Sequence, residues 1–159
     1  MGLVLHTASE QETAEAGRLL APLLAPNDVL ALTGDLGAGK TALVKGVAAG
    51  LGVCGPVVSP TFNILLVHEG RLTLYHFDLY RLDAEAQLVD VDFYATLEAG
   101  GASLIEWGER FPDALPADHL AVVMTIAGDE ERDIQLVPGG ERSAELAAAW
   151  AALAGGDTE

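Results

Sequence analysis

The sequence contains few positive charges and almost no cysteine. Its 159 residues include 8 Lys and Arg against 24 Asp and Glu, and the one cysteine is Cys54. A single cysteine excludes an internal disulfide and fits a reducing compartment. Binding a nucleic-acid backbone directly needs clustered Lys and Arg, but the basic residues here are scattered, so a role with RNA or DNA would have to run through a partner protein. The acidity itself is explained by solubility or by adaptation of the host proteome.

Long hydrophobic runs and targeting signals are also missing. The apolar runs fall short of the roughly 20 residues of a membrane-spanning helix, and the first residues show neither a basic region nor a small-residue cleavage site. We therefore expect a cytoplasmic protein that does not associate with membranes. Half of the residues are hydrophobic, which is enough for a core at this length. We expect one domain over residues 1–154 and a disordered tail at 155–159.

Apolar runs alternate with helical patterns along the chain, which favours an α/β fold. Residues 29–33 form a continuous apolar run, typical of a buried parallel strand. Two pairs of runs, 62–68 with 72–77 and 120–126 with 133–137, have the spacing of antiparallel hairpins. The pattern therefore predicts a mixed β-sheet with helices on both faces. The other predicted elements are a strand at 4–7, a helix opened by a capping box at Ser9 and Glu12, a helix from about 40 to 51, an acidic helix at 83–97, a strand at 102–106 and a helix at 141–153.

A glycine-rich loop between the strand at 29–33 and the next helix carries the strongest functional signal. It reads Gly-x-x-x-x-Gly-Lys-Thr, and its glycines let the backbone wrap closely around phosphates. Successive N–H groups and the positive end of the helix then face the anion. We interpret it as a P-loop that binds a nucleoside triphosphate with Mg²⁺, the alternative being a plain turn before an ordinary helix. Lys40 would bridge the β and γ phosphates, and Thr41 would offer its hydroxyl to the metal. The loop comprises Gly34, Asp35, Leu36, Gly37, Ala38, Gly39, Lys40 and Thr41.

Two acidic residues end apolar strands elsewhere in the chain. Asp78 closes the run 74–77, and Glu106 closes the run 103–105. Both strands could run beside the P-loop strand, and their carboxylates would then converge on the triphosphate at the carboxyl edge of the sheet. One would then hold Mg²⁺ while the other orients the attacking water. The alternative for each carboxylate is a solvated strand end.

Three further residues are candidates with open alternatives. Thr61 follows the P-loop helix where a switch hydroxyl would sense the γ-phosphate or Mg²⁺, or it belongs to a plain turn before a strand. Trp107 would stack on the base or cover the cleft, or it is a core or interface residue. His76 alternates with Asp78 and faces the same side of its strand, which permits an indirect role at the site, although a structural histidine is the commoner case.

Missing motifs narrow the class of nucleotide-binding protein. The guanine-recognition pattern Asn-Lys-x-Asp is absent, which argues against a standard GTPase. The sequence also lacks a second nucleotide-binding half, which argues against a transporter ATPase. Small-molecule kinases usually grip the transferred phosphate with several arginines, whereas Arg81 is the one arginine between Asp78 and Glu106. A kinase remains the alternative function, and a nucleotide-dependent binding module without useful catalysis is a third.

Four segments together resemble the TsaE (YjeE) family of small bacterial P-loop ATPases, in sequence, order and spacing. They are the P-loop, Ser59-Pro60-Thr61-Phe62, His76-Phe77-Asp78-Leu79-Tyr80-Arg81-Leu82 and Ile105-Glu106-Trp107-Gly108-Glu109. The resemblance implies a P-loop NTPase-like fold. It also implies a slow ATPase that acts with TsaD-like and TsaB-like proteins in making threonylcarbamoyladenosine in tRNA, as a nucleotide-driven switch that meets tRNA only through the complex.

The resemblance also implies roles for particular residues. Lys40 and Thr41 would bind phosphate and Mg²⁺, Asp78 would be the Walker-B-like acid, and Glu106 would hold metal or orient water. Thr61 would be the switch hydroxyl, and Trp107 would lie near the nucleotide. Glu10 and Arg132 are weaker candidates for the nucleotide site. The chain departs from the family at 89–92, where a glycine is usual, and this puts the details of partner docking in doubt.

Overall fold

The computed structural model describes residues 3–35, 38–55 and 64–158. Within these ranges eight strands form one sheet in the order β3-β4-β5-β2-β6-β7-β1-β8. The P-loop strand β2 lies near the middle, parallel to β5 on one side and to β6 on the other, while β4 runs parallel to β5. The strands are β1 Leu3–Thr7, β2 Val29–Gly34, β3 Leu65–His68, β4 Leu74–Asp78, β5 Ala102–Glu106, β6 Leu120–Ile126, β7 Arg132–Pro138 and β8 Asp157–Thr158.

Antiparallel pairs flank this parallel centre. Strand β3 pairs antiparallel with β4, and β6 pairs antiparallel with β7, so both predicted hairpins are confirmed. Strand β1 joins β7 antiparallel at the far side of the sheet. The chain end differs from the sequence prediction of a disordered tail, because Asp157 and Thr158 pair with β1. A short backbone ladder of this kind is not visible in a polar, glycine-containing sequence.

Helices cover both faces of the sheet, as the sequence predicted. The described buried residues form one apolar cluster that includes α1, α2 and α5 and a second that includes α3 and α4. Neighbouring residues of one strand divide between them, since Leu104 belongs to the first cluster and Ile105 to the second; alternate strand residues face opposite sides. The helices are α1 Glu10–Leu20, α2 Lys40–Gly50, α3 Gln87–Asp90, α4 Phe93–Leu97 and α5 Glu141–Ala154.

The acidic segment predicted as one helix at 83–97 is two short helices. The chain breaks between α3 and α4, where Asp92 has φ 55°, in the left-handed region. A left-handed residue cannot continue a right-handed helix. Leu88 and Phe93 are nevertheless both buried. The break therefore lets two short helices present apolar side chains to the same cluster.

Two glycines let α1 and α2 pack very closely. A Cβ atom at Gly46 would lie 1.9 Å from the carbonyl oxygen of Ala14, and one at Gly17 would lie 2.3 Å from that of Leu43. Helix α5 is attached to the same helix pair, because Trp150 Nε1 donates a 2.8 Å hydrogen bond to the carbonyl oxygen of Ala16. Helices α1, α2 and α5 therefore pack together as one layer on the same face of the sheet.

Helix lengths bear on membrane insertion. The longest described helix, α5, has 14 residues. None of the helices in the described ranges is long and apolar enough to cross a membrane.

Candidate nucleotide-binding site

The P-loop ends where α2 begins, at the carboxyl end of β2. Gly39 has φ 98° and directly precedes Lys40, the first residue of α2. Side chains rarely adopt this backbone conformation, so the position requires glycine. Gly34 needs glycine for space, because a Cβ there would lie 2.7 Å from the carbonyl oxygen of Met124. Ala38 N donates to the carbonyl of Asp35 at 2.9 Å, which tightens the turn before the helix.

The two predicted carboxylates end neighbouring parallel strands. In the β4–β5 register Asp78 lies directly beside Glu106, and in the β2–β5 register Glu106 lies beside Leu32 of the P-loop strand. Glu106 is therefore one strand from the P-loop, and Asp78 is two strands away. Residues paired in this way point to the same face of a sheet. The structure thus brings both acidic residues to the edge and face at which α2 begins.

Glu106 is a buried carboxylate with two cationic or polar neighbours. It is 5% exposed. Its Oε1 lies 3.7 Å from Lys40 Nζ, and its Oε2 lies 2.6 Å from His76 Nε2. A buried carboxylate needs such partners because burial removes its hydration. The P-loop lysine and the β5 carboxylate thus form one charged cluster.

Asp78 is only partly buried and its titration is perturbed. Desolvation raises the pKa of its carboxyl above the ordinary value, and the hydrogen bond from Tyr80 N, at 3.0 Å, acts against this. The negative charge of Glu106 raises the Asp78 pKa further, while His76 and Lys40 lower it. Two carboxylates side by side repel each other, and a bound cation relieves that repulsion. The pair therefore suits Mg²⁺, which proteins commonly hold through one or two carboxylates together with substrate phosphates.

Trp107 lies beside the P-loop lysine, at the Glu106 end of the site. Lys40 Nζ is 5.3 Å from the centre of its ring, which is cation–π distance. The ring of Tyr80 packs against the ring of Trp107, with 4.9 Å between the ring centres. Arg110 donates a hydrogen bond to the carbonyl oxygen of Tyr80. Tyr80 itself is 57% exposed. Trp107 is also partly buried against the apolar cluster that includes α3 and α4, so a cover over the cleft and a core residue both stay predictions.

The start of α1 and the start of β7 lie on the other side of the P-loop. A Cβ built on Gly39 would lie 3.6 Å from Thr13 Cγ2 and 3.9 Å from Arg132 Cγ. Arg132 Nη1 donates to the carbonyl oxygens of Gly128, Asp129 and Glu131, so it also ties down the β6–β7 turn. Glu10 is exposed at the first position of α1, one turn before Thr13. Both weaker candidates thus belong to elements that border the loop.

Some predicted residues are not among those the structure describes. Leu36 and Gly37 of the loop, and the switch candidate Thr61, lie outside the described residues. Thr41 follows Lys40 in the first turn of α2 and is exposed, and Asp35 is exposed before the loop. The bound ATP and Mg²⁺ remain predictions.

His76 contacts a candidate site residue directly. Its Nε2 lies 2.6 Å from Glu106 Oε2, a bond that fits both an indirect role at the site and a structural histidine. The signal in the sequence was its alternation with Asp78, which puts both side chains on one face of β4. The missing information was the identity of the neighbouring strand, since only the β4–β5 pairing brings His76 next to residues 104–106.

Comparison with known proteins decides the family. The family model described as "Threonylcarbamoyl adenosine biosynthesis protein TsaE" matches residues 7–134. The chain belongs to the TsaE family. The resemblance read from the four motifs is therefore confirmed, and the matched region contains the P-loop, Asp78, Glu106, Trp107 and Arg132.

Individual TsaE relatives match over most of their length. A protein of Bacillus subtilis (strain 168) called tRNA threonylcarbamoyladenosine biosynthesis protein TsaE is 42% identical over 138 residues, 86% of each chain. The protein of the same name from Treponema pallidum is 41% identical, over 79% of this chain and 93% of the relative. A crystal structure of YdiB from Bacillus subtilis superposes with a TM-score of 0.81, at 34% identity and over 96% of both chains. The fold class predicted from the sequence is confirmed.

Proposed function

We propose that this protein is an ATP-binding, slowly ATP-hydrolysing subunit for threonylcarbamoyladenosine modification of tRNA. It acts in the cytoplasm on a complex of TsaD-like and TsaB-like proteins, as a nucleotide-driven switch. Support comes from membership of the TsaE family and from the names of its relatives. Support for the nucleotide chemistry comes from the site itself.

The observation that carries the proposal is the cluster of Lys40 with Glu106, next to Asp78. Lys40 Nζ lies 3.7 Å from Glu106 Oε1. Lys40 is the first residue of α2, and the free backbone N–H groups at the start of a helix attract anions. Asp78 lies beside Glu106 in the sheet register. A phosphate-binding cation and two carboxylates at one sheet edge are the parts that phosphoryl transfer to water requires.

Each residue then has a chemical task. Lys40 and the backbone of the loop bind the phosphates, and Thr41 with one or both carboxylates would hold Mg²⁺. The metal, when bound, neutralises charge on the phosphates. The carboxylate left free of the metal orients the attacking water and accepts a hydrogen bond from it. Trp107 limits solvent access on the Lys40 side, since its ring already lies against that ammonium group.

The charge distribution supports an indirect relation to tRNA. The chain carries a formal net charge of −16 at pH 7, and a polyanion is repelled by such a protein. An acidic subunit that hydrolyses ATP while bound to a partner complex does not need to bind tRNA directly. This agrees with a switch role better than with a transferase role.

The decisive measurement is phosphate release by the purified protein, with and without its TsaD-like and TsaB-like partners. We expect slow release alone and faster release with both partners. Glu106→Gln should still bind ATP but hydrolyse it about 100-fold more slowly, because loss of a group acting on the transition state typically costs that much. Lys40→Ala should bind ATP weakly. Lys45→Ala, a lysine on the exposed side of α2, is the matched control and should behave as wild type.

Three results would contradict the proposal. Rates indifferent to both partners would remove the switch role. ADP formation that depends on an added metabolite rather than on water would establish a kinase instead. A cell in which Glu106→Gln supports normal tRNA modification while Lys40→Ala does not would point to a nucleotide-dependent binding module.

A further inference from the structure

His76 is the most deeply buried ionisable side chain near the candidate site. It is 1% exposed and is the central residue of β4, the second strand of the sheet. In the strand register it pairs with Leu104, and both Leu104 and the neighbouring Leu74 belong to the cluster under α2. The imidazole therefore lies on the face that carries the P-loop helix, and His68 on β3 is close enough to interact with it electrostatically.

The polar contact of this imidazole is with Glu106. Nε2 lies 2.6 Å from Glu106 Oε2, and a carboxylate can only accept, so Nε2 donates. Among the described residues, Nδ1 has no hydrogen-bond partner. Burying a polar ring with one nitrogen unsatisfied is unfavourable. A histidine that served packing alone would be replaced by an apolar side chain at lower energetic cost.

The two oxygens of Glu106 have different partners. Oε2 is bound to His76, whereas Oε1 faces Lys40 Nζ at the longer distance of 3.7 Å. When Lys40 engages phosphates, its interaction with Oε1 weakens. The short bond to His76 comes from β4, a strand that is separate from the P-loop. It would keep the carboxylate in one rotamer, with Oε1 directed at the cleft.

We infer that His76 is a positioning residue, which fixes the Glu106 carboxylate for ATP hydrolysis through the bond from Nε2 to Oε2. The inference rests on the proposed ATPase function and adds a residue to it. His76 does not touch the nucleotide. Groups that orient metal-binding or catalytic carboxylates typically contribute about 10- to 100-fold to activity.

Substitutions that move the donor nitrogen distinguish positioning from packing. Gln carries an amide nitrogen near the position of Nε2, whereas the amide nitrogen of Asn lies near that of Nδ1. In partner-stimulated assays, His76→Leu and His76→Asn should lower kcat by about 10- to 100-fold, while KM for ATP stays within about threefold. His76→Gln should recover most of kcat. Comparing the Asn and Gln variants, which are both polar, removes dependence on whether the Leu variant folds well.

His119 provides the matched control. It directly precedes β6, at the end of the parallel strands opposite the P-loop, and its Nδ1 lies 2.7 Å from the carbonyl oxygen of Pro116. His119→Leu should leave kcat and KM unchanged. A second readout needs no activity: in ¹H–¹⁵N spectra of the imidazoles, the Nε2 proton of His76 should appear far downfield because of its bond to a carboxylate, and it should move upfield in Glu106→Gln.

The outcomes separate the two proposals. If wild type hydrolyses ATP but His76→Asn and His76→Gln have the same kcat as each other, the positioning role is wrong and the ATPase function stands. If all His76 variants melt at a lower temperature than wild type but keep its kcat, the role of His76 is structural. If wild type shows no hydrolysis with or without partners, the proposed function fails, and the positioning role of His76 in hydrolysis fails with it.

Discussion

At the scale of single residues, the site depends on side chains that come from separate parts of the sequence. Lys40 starts α2, His76 and Asp78 belong to β4, and Glu106 ends β5. The residue types at these positions already indicated phosphate and metal chemistry. The sequence did not show that Lys40 and His76 both contact the carboxylate of Glu106. The hydrogen bond from His76 depends on which strands are neighbours in the sheet.

Trp107 should report nucleotide binding through its fluorescence. Its ring lies 5.3 Å from Lys40 Nζ, so a shift of that ammonium group towards phosphate changes the electric field at the ring. Adding ATP with Mg²⁺ should change the emission of wild type. The other tryptophan, Trp150, is fully buried under α1 and should give a constant background.

The control for this prediction is Trp107→Phe, which keeps an aromatic ring beside Lys40. Its emission should not respond to ATP, although it still binds the nucleotide by calorimetry. A response of similar size in this variant would assign the signal to Trp150 and contradict the placement of Trp107 at the nucleotide.

At the scale of elements, the position of the P-loop depends on how closely α1 and α2 pack. Gly46→Ala would place a methyl group 1.9 Å from the carbonyl oxygen of Ala14, and backbone atoms cannot rotate away as a side chain can. We expect a loss of about 3 kcal/mol in the free energy of unfolding, measured by urea titration. ATP affinity should also fall, because Thr13 of α1 lies beside Gly39.

The neighbouring exposed residue supplies the control for this packing argument. Lys45→Ala should change stability by less than about 0.5 kcal/mol, as surface substitutions usually do. If Gly46→Ala proved as stable as Lys45→Ala, the helices would be able to separate without penalty, and the close contact would have no structural role.

The start of α5 is capped by a side chain from a distant loop. Gly140 precedes the helix and has no side chain to cap it. Instead the Asp118 carboxylate accepts from Ser143 N and from Arg142 N, both at 2.9 Å. A Cβ at Gly140 would lie 2.6 Å from Asp118 Cγ, so the missing side chain makes room for this cap. The arrangement joins α5 to the segment before β6.

The cap predicts a pH dependence of stability. Hydrogen bonds from Ser143, through its hydroxyl and its backbone N–H, lower the pKa of Asp118 below its ordinary value of 3.8, and Arg142 adds to this. A lowered pKa means that the carboxylate stabilises the folded state above the unfolded pKa, and that this contribution disappears as pH falls through the folded pKa. Asp118→Ala should therefore melt at a lower temperature than wild type at pH 7, and the difference should shrink below about pH 3.8.

Glu130 offers a comparison of equal charge, since it is exposed in the β6–β7 turn. Glu130→Ala should leave the melting temperature unchanged at pH 7. A wild-type advantage over Asp118→Ala that persists at pH 2 would show that the carboxylate charge does not act in the cap.

At the scale of the whole molecule, charge controls which partners can bind directly. With 24 acidic and 8 basic residues, the isolated protein should not bind tRNA in a filter assay at physiological salt. Mixed with its partners it should be found with tRNA. A direct complex whose affinity falls steeply with salt concentration would reveal a phosphate-binding surface and contradict this expectation.

The sequence by itself determined the local chemistry and the class of fold. Gly34, Gly39, Lys40 and Thr41 lie within one short loop, so their order along the chain is enough to predict a phosphate site. The hairpins were also predictable, because their strands are close in sequence. Local patterns failed where backbone conformation depended on burial elsewhere, as in the break at Asp92 that lets α3 and α4 reach one cluster.

The tertiary structure alone decided which carboxylate lies next to the P-loop and what holds it there. Strand order cannot be read from strand patterns, because every buried parallel strand is similarly apolar. The order β4-β5-β2 brings Glu106 against Lys40 and leaves Asp78 one strand further out. The same pairing brings His76 within 2.6 Å of Glu106, although the two residues are 30 positions apart in the sequence.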